Sequence, residues 1–284
     1  MLIRLLKCLA IVVAIFNFTS SAFAIHADVE PQDILPGDAF LVRISGIEPS
    51  QSASVFVEGT RIPLQGCGEG CAFGIGSIGI EMAPGEKSVM INSGPDRLTL
   101  ALLVRTPNFP EMRLELPQNK VDLGPEDLAR AKKEEERLSG IWKQNNPRLY
   151  QGDFMLPLSN PVSAVFGAKR IINNKTVSVH RGVDLKGKQG EKIRAANYGR
   201  VVLAEELFFG GNTLIIDHGS GIYTVYMHLD RFAVKVSDLV STNDIVGFVG
   251  STGRATGPHL HFGVKILTVD TNPLSLVKLH IDEK

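Results

Sequence analysis

Five of the seven histidines fall between residues 180 and 261. Two stand two apart in Thr256-Gly257-Pro258-His259-Leu260-His261-Phe262-Gly263-Val264, between a Gly-Pro turn and a β-favouring run. Alternate residues of a strand share a face, so His259 and His261 are expected to point the same way. That suits one metal ligand beside one catalytic imidazole, and equally two histidines on a half-buried strand. In His180-Arg181-Gly182-Val183-Asp184, a straight strand would hold His180 and Asp184 about 13 Å apart. With metal bonds of about 2 Å, both reach one ion only if Gly182 bends the chain. A helix would bring them to one face, but Val177, Val179, Val183 and Gly182 disfavour it. Taken alone, the segment is an ordinary polar turn. His228, in Tyr226-Met227-His228-Leu229-Asp230, is expected to end a strand and to share a face with Thr224 and Tyr226. Together these residues could furnish two histidines and a carboxylate around a tetrahedral ion with an open position, the mark of a catalytic zinc. Two histidines are then left for acid–base or oxyanion roles. There is no His-Glu-x-x-His helix, which excludes a thermolysin-like protease.

The elements that must position these residues are mainly β. From 25 to 106, Ala39 to Ile44, Ser54 to Val57, Ser88 to Ile91 and Leu98 to Val104 read as short strands punctuated by Pro36-Gly37, Pro84-Gly85 and Gly94-Pro95. This is the rhythm of a small immunoglobulin-like sandwich. Residues 107–150 read as a connector. Pro107, Pro110 and Pro117 keep its first part extended, and Pro125-Glu126-Asp127 opens a helix over about 125–143. Leu128, Ala131, Glu135, Leu138 and Trp142 form the stripe of a docking helix. From 151 to 284 come glycine-punctuated strands: Arg200 to Ala204, Thr213 to Asp217, Ile222 to Met227, Ile245 to Val249 and His259 to Ile266. They predict an antiparallel β domain with a groove on one face.

The 284 residues are 44% hydrophobic and 21% charged, with 30 basic and 30 acidic side chains. Such a chain packs a core and has no basic excess to suggest a nucleic-acid partner. Residues 1–24 read as a secretory signal peptide: Arg4 and Lys7, an apolar run from Cys8 to Phe18, and Ala22-Phe23-Ala24 at the cleavage site. No later stretch is long and apolar enough to span a membrane, so an exported protein is expected. Cys8 leaves with the signal, and Cys67-Gly-Glu-Gly-Cys71 reads as a small disulfide in an oxidising compartment. Gly250-Ser251-Thr252-Gly253-Arg254-Ala255-Thr256-Gly257 lacks the ending of a phosphate loop.

The region from about Gly152 to Leu276 resembles the lysostaphin/LytM-type zinc metalloendopeptidases, which cleave stem peptides or cross-bridges of bacterial peptidoglycan. The resemblance rests on Ser163-Ala164-Val165-Phe166-Gly167, His180-Arg181-Gly182-Val183-Asp184, Gly211-Asn212-Thr213, Asp217-His218-Gly219, Tyr226-Met227-His228-Leu229, Gly250-Ser251-Thr252-Gly253 and Thr256-Gly257-Pro258-His259-Leu260-His261-Phe262. It implies an open antiparallel sheet with a substrate groove, one zinc ion on His180, Asp184 and His261, and a catalytic pair in His228 and His259. The implied reaction is peptide hydrolysis by zinc-activated water. The β-rich leading region resembles that of some Gram-negative members, which favours a periplasmic enzyme over a secreted one and a D-alanyl–diaminopimelate bond over a glycine bridge. Some relatives lack ligands and only activate cell-wall amidases; a non-enzymatic, peptidoglycan-binding regulator is thus the alternative, and the complete ligand set here counts against it. A long non-catalytic region ahead of a groove enzyme points to control of access, through an autoinhibitory contact or a regulatory protein partner. His218 reads as a structural turn histidine, His26 and His280 as surface residues, and Asn212 as shaping the groove. Arg170, Arg181, Lys186 and Arg254 read first as solvated surface charge, with substrate carboxylates as the alternative.

Overall fold

The computed structural model describes residues 25–115, 123–174 and 176–281. The expected signal peptide with Cys8, and Pro117 of the connector, lie outside the described residues. No helix among those described is long and apolar enough to cross a membrane.

The N-terminal region folds into two antiparallel-rich sheets. One runs in the order His26–Glu30, Ala39–Ser45, Cys71–Ser77, Gln65–Gly68; the other in the order Asp33–Ile34, Asp96–Val104, Gly85–Ser93, Ala53–Val57, Thr60–Ile62. The four strands expected here are present, extended by one to three residues at one or both ends. Period-two patterning turns Val89, Ile91, Leu102 and Val104 of one sheet towards Phe40, Val42 and Ile44 of the other, and these form one apolar core. Ala39–Ser45 departs from alternation because both its faces are covered. Ala39 and Leu41, with Phe73 and Ile75 of the neighbouring strand, belong to the C-terminal core beside Tyr150, Phe154 and Phe166. The leading sheet is therefore a layer of the C-terminal domain's packing rather than a tethered bead. Cys71–Ser77 went unread as a strand because Gly74 and Gly76 look like turn signals. In fact a Cβ on Gly76 would lie 2.4 Å from the Phe40 ring, so glycine there permits close packing. Cys67 and Cys71 are joined by a disulfide.

The connector is more engaged than an extended linker. Glu111–Leu114 pairs in parallel with Lys169–Ile172, which pairs antiparallel with Thr176–Val179. The helix spans Pro125–Trp142, with proline in its first turn and Glu126 and Asp127 beside the positive end of its dipole. Its C-terminal turns dock: Leu138, Ile141 and Trp142 pack on Leu203, Leu207, Ile215, Tyr223 and Val225. Trp142 meets Tyr223 edge-on at 5.3 Å. Leu128, expected on the same stripe, is 59% exposed.

The C-terminal sheet has ten strands, its main path running Val162–Ala164, Val183–Lys186, His259–Ile266, Ile222–Phe232, Gly211–Asp217, Gly199–Leu207, Leu239–Val240. Every pairing in it is antiparallel. Leu185, Leu260, Phe262 and Tyr226 fill the face towards the core. The opposite face, rich in polar residues at its centre, carries the site.

Candidate active site

Three adjacent strands set the site by register. Asp184 stands opposite His261, Lys186 opposite His259, and Met227 opposite His261 on the other side. Directly opposed residues of an antiparallel pair project to the same face, so Asp184 and His261 meet. His180 lies just outside the strand, and the bend at Gly182 folds it back over Asp184. The bend has no room for a side chain: a Cβ on Gly182 would lie 2.6 Å from the Phe262 carbonyl oxygen and 2.7 Å from His261 Nε2.

The result is a compact donor triangle. His180 Nε2 lies 3.0 Å from Asp184 Oδ1 and 3.0 Å from His261 Nδ1, and His261 Nδ1 lies 2.8 Å from Asp184 Oδ1. His180 and Asp184 are 1% and 8% exposed. His180 Nδ1 donates to the Val165 carbonyl at 2.9 Å, leaving the lone pair of the neutral ring on Nε2. Lone pairs thus converge on one point and call for a cation. Two imidazoles and a carboxylate about 3 Å apart fit an ion with bonds of about 2 Å, which is the donor chemistry of zinc. Burial opposes the Asp184 charge, but the adjoining imidazoles of His180 and His261 outweigh it and hold the carboxyl well below its usual range. Burial pushes the His261 imidazole down, favouring the neutral form a metal needs.

His228 reaches this face by a route that alternation does not predict. Its strand continues to Phe232 rather than ending at the histidine. Thr224 and Tyr226 face the core, where the Tyr226 hydroxyl accepts from the Ala196 N–H at 2.9 Å. Strict alternation would put His228 with them. Instead its backbone is left-handed, at φ 66°, within a bulge where pairing slips between Asn212–Leu229 and Leu214–Tyr226. The extra residue turns His228 to the face of Met227 and the metal triangle, the re-aiming that bulges provide beside sites. A clip holds the bulge. The His228 N–H donates to the Gly210 carbonyl at 2.8 Å, and His228 Nδ1 donates to the Thr252 carbonyl at 2.9 Å. Thr252 Oγ1 accepts from the Asn212 N–H and donates to the Leu229 carbonyl, both at 2.9 Å. Asn212 Nδ2 donates to the Leu229 and Asp230 carbonyls. The part Thr252 plays was not legible in the sequence, because it acts through its backbone oxygen.

The two remaining imidazoles lie side by side, with His228 and His259 ring centres 4.9 Å apart. His259 Nδ1 donates to the Gly257 carbonyl at 2.8 Å, and its Nε2 lies 3.9 Å from Asp184 Oδ1. In both rings the fixed Nδ1–H leaves Nε2 as the open lone pair. Burial, then the neighbouring His261 and His259, push the His228 imidazole down to about 3, so it is neutral at neutral pH.

The other expected residues separate cleanly. His218 is fully buried on the core side, donating from Nδ1 to the Tyr198 carbonyl at 2.9 Å and accepting at Nε2 from the Thr224 hydroxyl at 2.8 Å. His26 and His280 are exposed. Arg181 pairs with Asp270, and Lys186 is exposed. Arg170 and Arg254 are not solvated surface charges. Arg170 Nη2 donates to Asp184 Oδ2 at 2.5 Å, and Arg254 stacks over Phe209 at 4.4 Å. Two open cavities, of about 840 and 520 Å³, meet at His228, Arg170 and Arg254. The connector helix walls the larger through Leu128, Ala131 and Leu138, and the connector strand walls the smaller through Met112 and Leu114.

An open antiparallel sheet thus carries a His–Asp–His donor set with two further imidazoles beside it. Residues 178–273 match the model of Peptidase family M23, and the His180, Asp184 and His261 donor set fits one zinc ion. The chain is 36% identical over 115 residues to the DD-carboxypeptidase/endopeptidase Mpg of Neisseria meningitidis serogroup B, covering 40% of this chain and 26% of that protein. It is 34% identical over 121 residues to the peptidoglycan DD-endopeptidase ShyA of Vibrio cholerae, covering 42% and 27%. The chain thus spans about a quarter of the length of these curated relatives. A crystal structure of a putative M23 peptidase from Pseudomonas aeruginosa shares the fold over 86% of this chain and 94% of that one, at 24% identity and a TM-score of 0.66.

Proposed function

We propose that the protein is an exported zinc metalloendopeptidase that hydrolyses peptide bonds of peptidoglycan outside the cytoplasm, in the periplasm rather than free in the medium. The observation that carries this is the meeting, at one end of two open cavities, of the donor triangle with two imidazoles whose Nε2 atoms are open. His180, Asp184 and His261 hold the zinc. When bound there, the ion supplies a Lewis acid that polarises a carbonyl and acidifies water. His228 and His259 do the proton work. In each, Nδ1 is fixed on a backbone carbonyl and Nε2 is left to accept a proton from the attacking water and pass it to the leaving amine. Thr252 and Gly257 fix which nitrogen does so. Arg170 holds the second oxygen of Asp184, leaving Oδ1 in the triangle.

The relatives' names favour a bond made to a D-amino acid, here the D-alanyl–diaminopimelate cross-link. The helix Pro125–Trp142 and strand Glu111–Leu114 bound the cavities, and we assign the region before residue 151 to control of access. The complete donor set argues against a purely regulatory, amidase-activating role. Digestion of purified peptidoglycan by the zinc-loaded protein, with and without chelator and with products identified by mass spectrometry, tests the proposal. Chelator-sensitive release of cleaved stem peptides is expected. Release that survives chelation, or none accompanied by stimulation of an amidase, would overturn it.

A further inference from the structure

Most cations around the groove have partners: Arg181 and Lys265 share Asp270, and Arg137 pairs with Glu205. Arg254 differs. Its side chain is held in place by stacking on Phe209 and by its own N–H, which donates to the Phe209 carbonyl at 2.9 Å. Among the described residues no carboxylate lies within ion-pair distance of its guanidinium. Arg170 stands near enough for the two charges to disfavour one another. Arg170 itself spends one nitrogen on Asp184, while its buried Nε has no hydrogen-bond partner. In the smaller cavity Arg170, Arg254 and Lys186 therefore face a single carboxylate, Asp184, while Glu134, Glu135 and Asp270 line only the larger one. A partly buried site with that surplus is built for an anion. Guanidinium forks match carboxylates in particular.

We propose that Arg254, assisted by Arg170, forms a carboxylate subsite beside the metal centre, selecting substrates in which the residue on the nitrogen side of the scissile bond carries a free carboxylate. This rests on the peptidase reading above and narrows its substrate. The selection is chemically sharp. A cross-link made through the second amine of diaminopimelate leaves a carboxylate on the carbon that bears the scissile nitrogen, whereas one made through a lysine side chain does not. A bond to a chain-terminal residue leaves one there too. An internal bond of a glycine bridge presents an uncharged amide at that place. The subsite would therefore accept the diaminopimelate cross-link and the terminal residue alike, and reject the bridge.

The test uses two synthetic stem-type peptides, identical except that the residue supplying the scissile nitrogen ends in a carboxylate or a carboxamide. With the zinc-loaded full chain, the acid is expected to have a KM at least about 10-fold lower, the range of a charge-assisted hydrogen bond. Arg254→Gln should reduce the preference to about 2-fold or less at unchanged zinc content, by raising KM for the acid, and Arg254→Lys should restore part of it. Equal KM values in the native protein, or a preference that survives Arg254→Gln, would overturn the subsite while leaving the peptidase reading intact. Calorimetric binding of the two corresponding cleavage fragments to the zinc-loaded protein reads the subsite independently of turnover. Preference for the acid fragment is expected even if neither peptide is cut, a result that would sink the peptidase reading alone. Equal binding would overturn the subsite.

Discussion

Gly182→Ala is the smallest change that should damage the metal site without touching a ligand. The added Cβ would sit 2.6 Å from the Phe262 carbonyl oxygen and 2.7 and 2.8 Å from His261 Nε2 and Cε1. Ordinary carbon contacts begin near 3.4 Å, so either the ring or the neighbouring backbone must move by about 0.7 Å. Moving the backbone disturbs the pairing of Val183 with Phe262. Moving the ring displaces His261 Nδ1 from the triangle, by a third of a metal–nitrogen bond of about 2 Å. Overpacking of this kind costs about 1–3 kcal/mol. If that strain is borne by the metal-bound geometry, zinc affinity falls by roughly 5- to 150-fold, since about 1.4 kcal/mol is a factor of ten. Competition against a chromogenic chelator measures this, and thermal melting with and without zinc separates lost affinity from lost folding. Gly257→Ala is the control: it lies beside His259, but its Cβ would meet nothing within 4 Å. Native zinc affinity in Gly182→Ala would refute the account of the bend.

Other perturbations separate the roles. His228→Ala should lower turnover by about 10²-fold or more, the scale of lost acid–base catalysis, with zinc affinity within a few-fold of native, whereas His180→Ala should lose both; kinetics paired with metal analysis decides. His218, buried and held down to about 4 by its desolvation, makes the fold acid-sensitive. The unfolded chain binds the proton near pH 6.5 and the native one only near 4, so stability is complete above 6.5 and is lost as pH falls towards 4, by roughly 3 kcal/mol from this group. Urea unfolding at pH 7 and 4.5 should show that loss, and His218→Gln should flatten it. Trp142→Ala removes the main apolar anchor of the connector helix and should raise the rate on cross-linked peptidoglycan several-fold if the helix limits access; an unchanged or lower rate would argue that the helix builds the groove instead.

How much could be read in advance depended on whether local chemistry or long-range packing fixed each feature. Alternation and one glycine bend made a meeting of His180, Asp184 and His261 possible, but it was the family resemblance that picked these three over His228 and His259. The helix start was legible from Pro125, Glu126 and Asp127. His228 was legible as a residue of the site but not in its orientation, since only a left-handed bulge residue reverses its face and nothing in Met227-His228-Leu229 announces one. The bulge is held instead by Asn212 and Thr252, 16 and 24 positions away in sequence. Arg170 and Arg254 looked like surface charge because the cavities that half-bury them arise from the connector as well as the sheet. Glu111–Leu114 looked like a linker, since a strand that pairs with a segment some 58 residues later leaves no local signature.

The central claim is that one zinc ion on His180, Asp184 and His261 makes this groove hydrolytic. The most direct measurement is metal analysis and peptidoglycan digestion on the same preparations of native protein and His261→Ala. The account predicts one zinc per native chain with release of cleaved stem peptides, and loss of both together in the variant. Full zinc retention by His261→Ala, or undiminished hydrolysis in its absence, would contradict it.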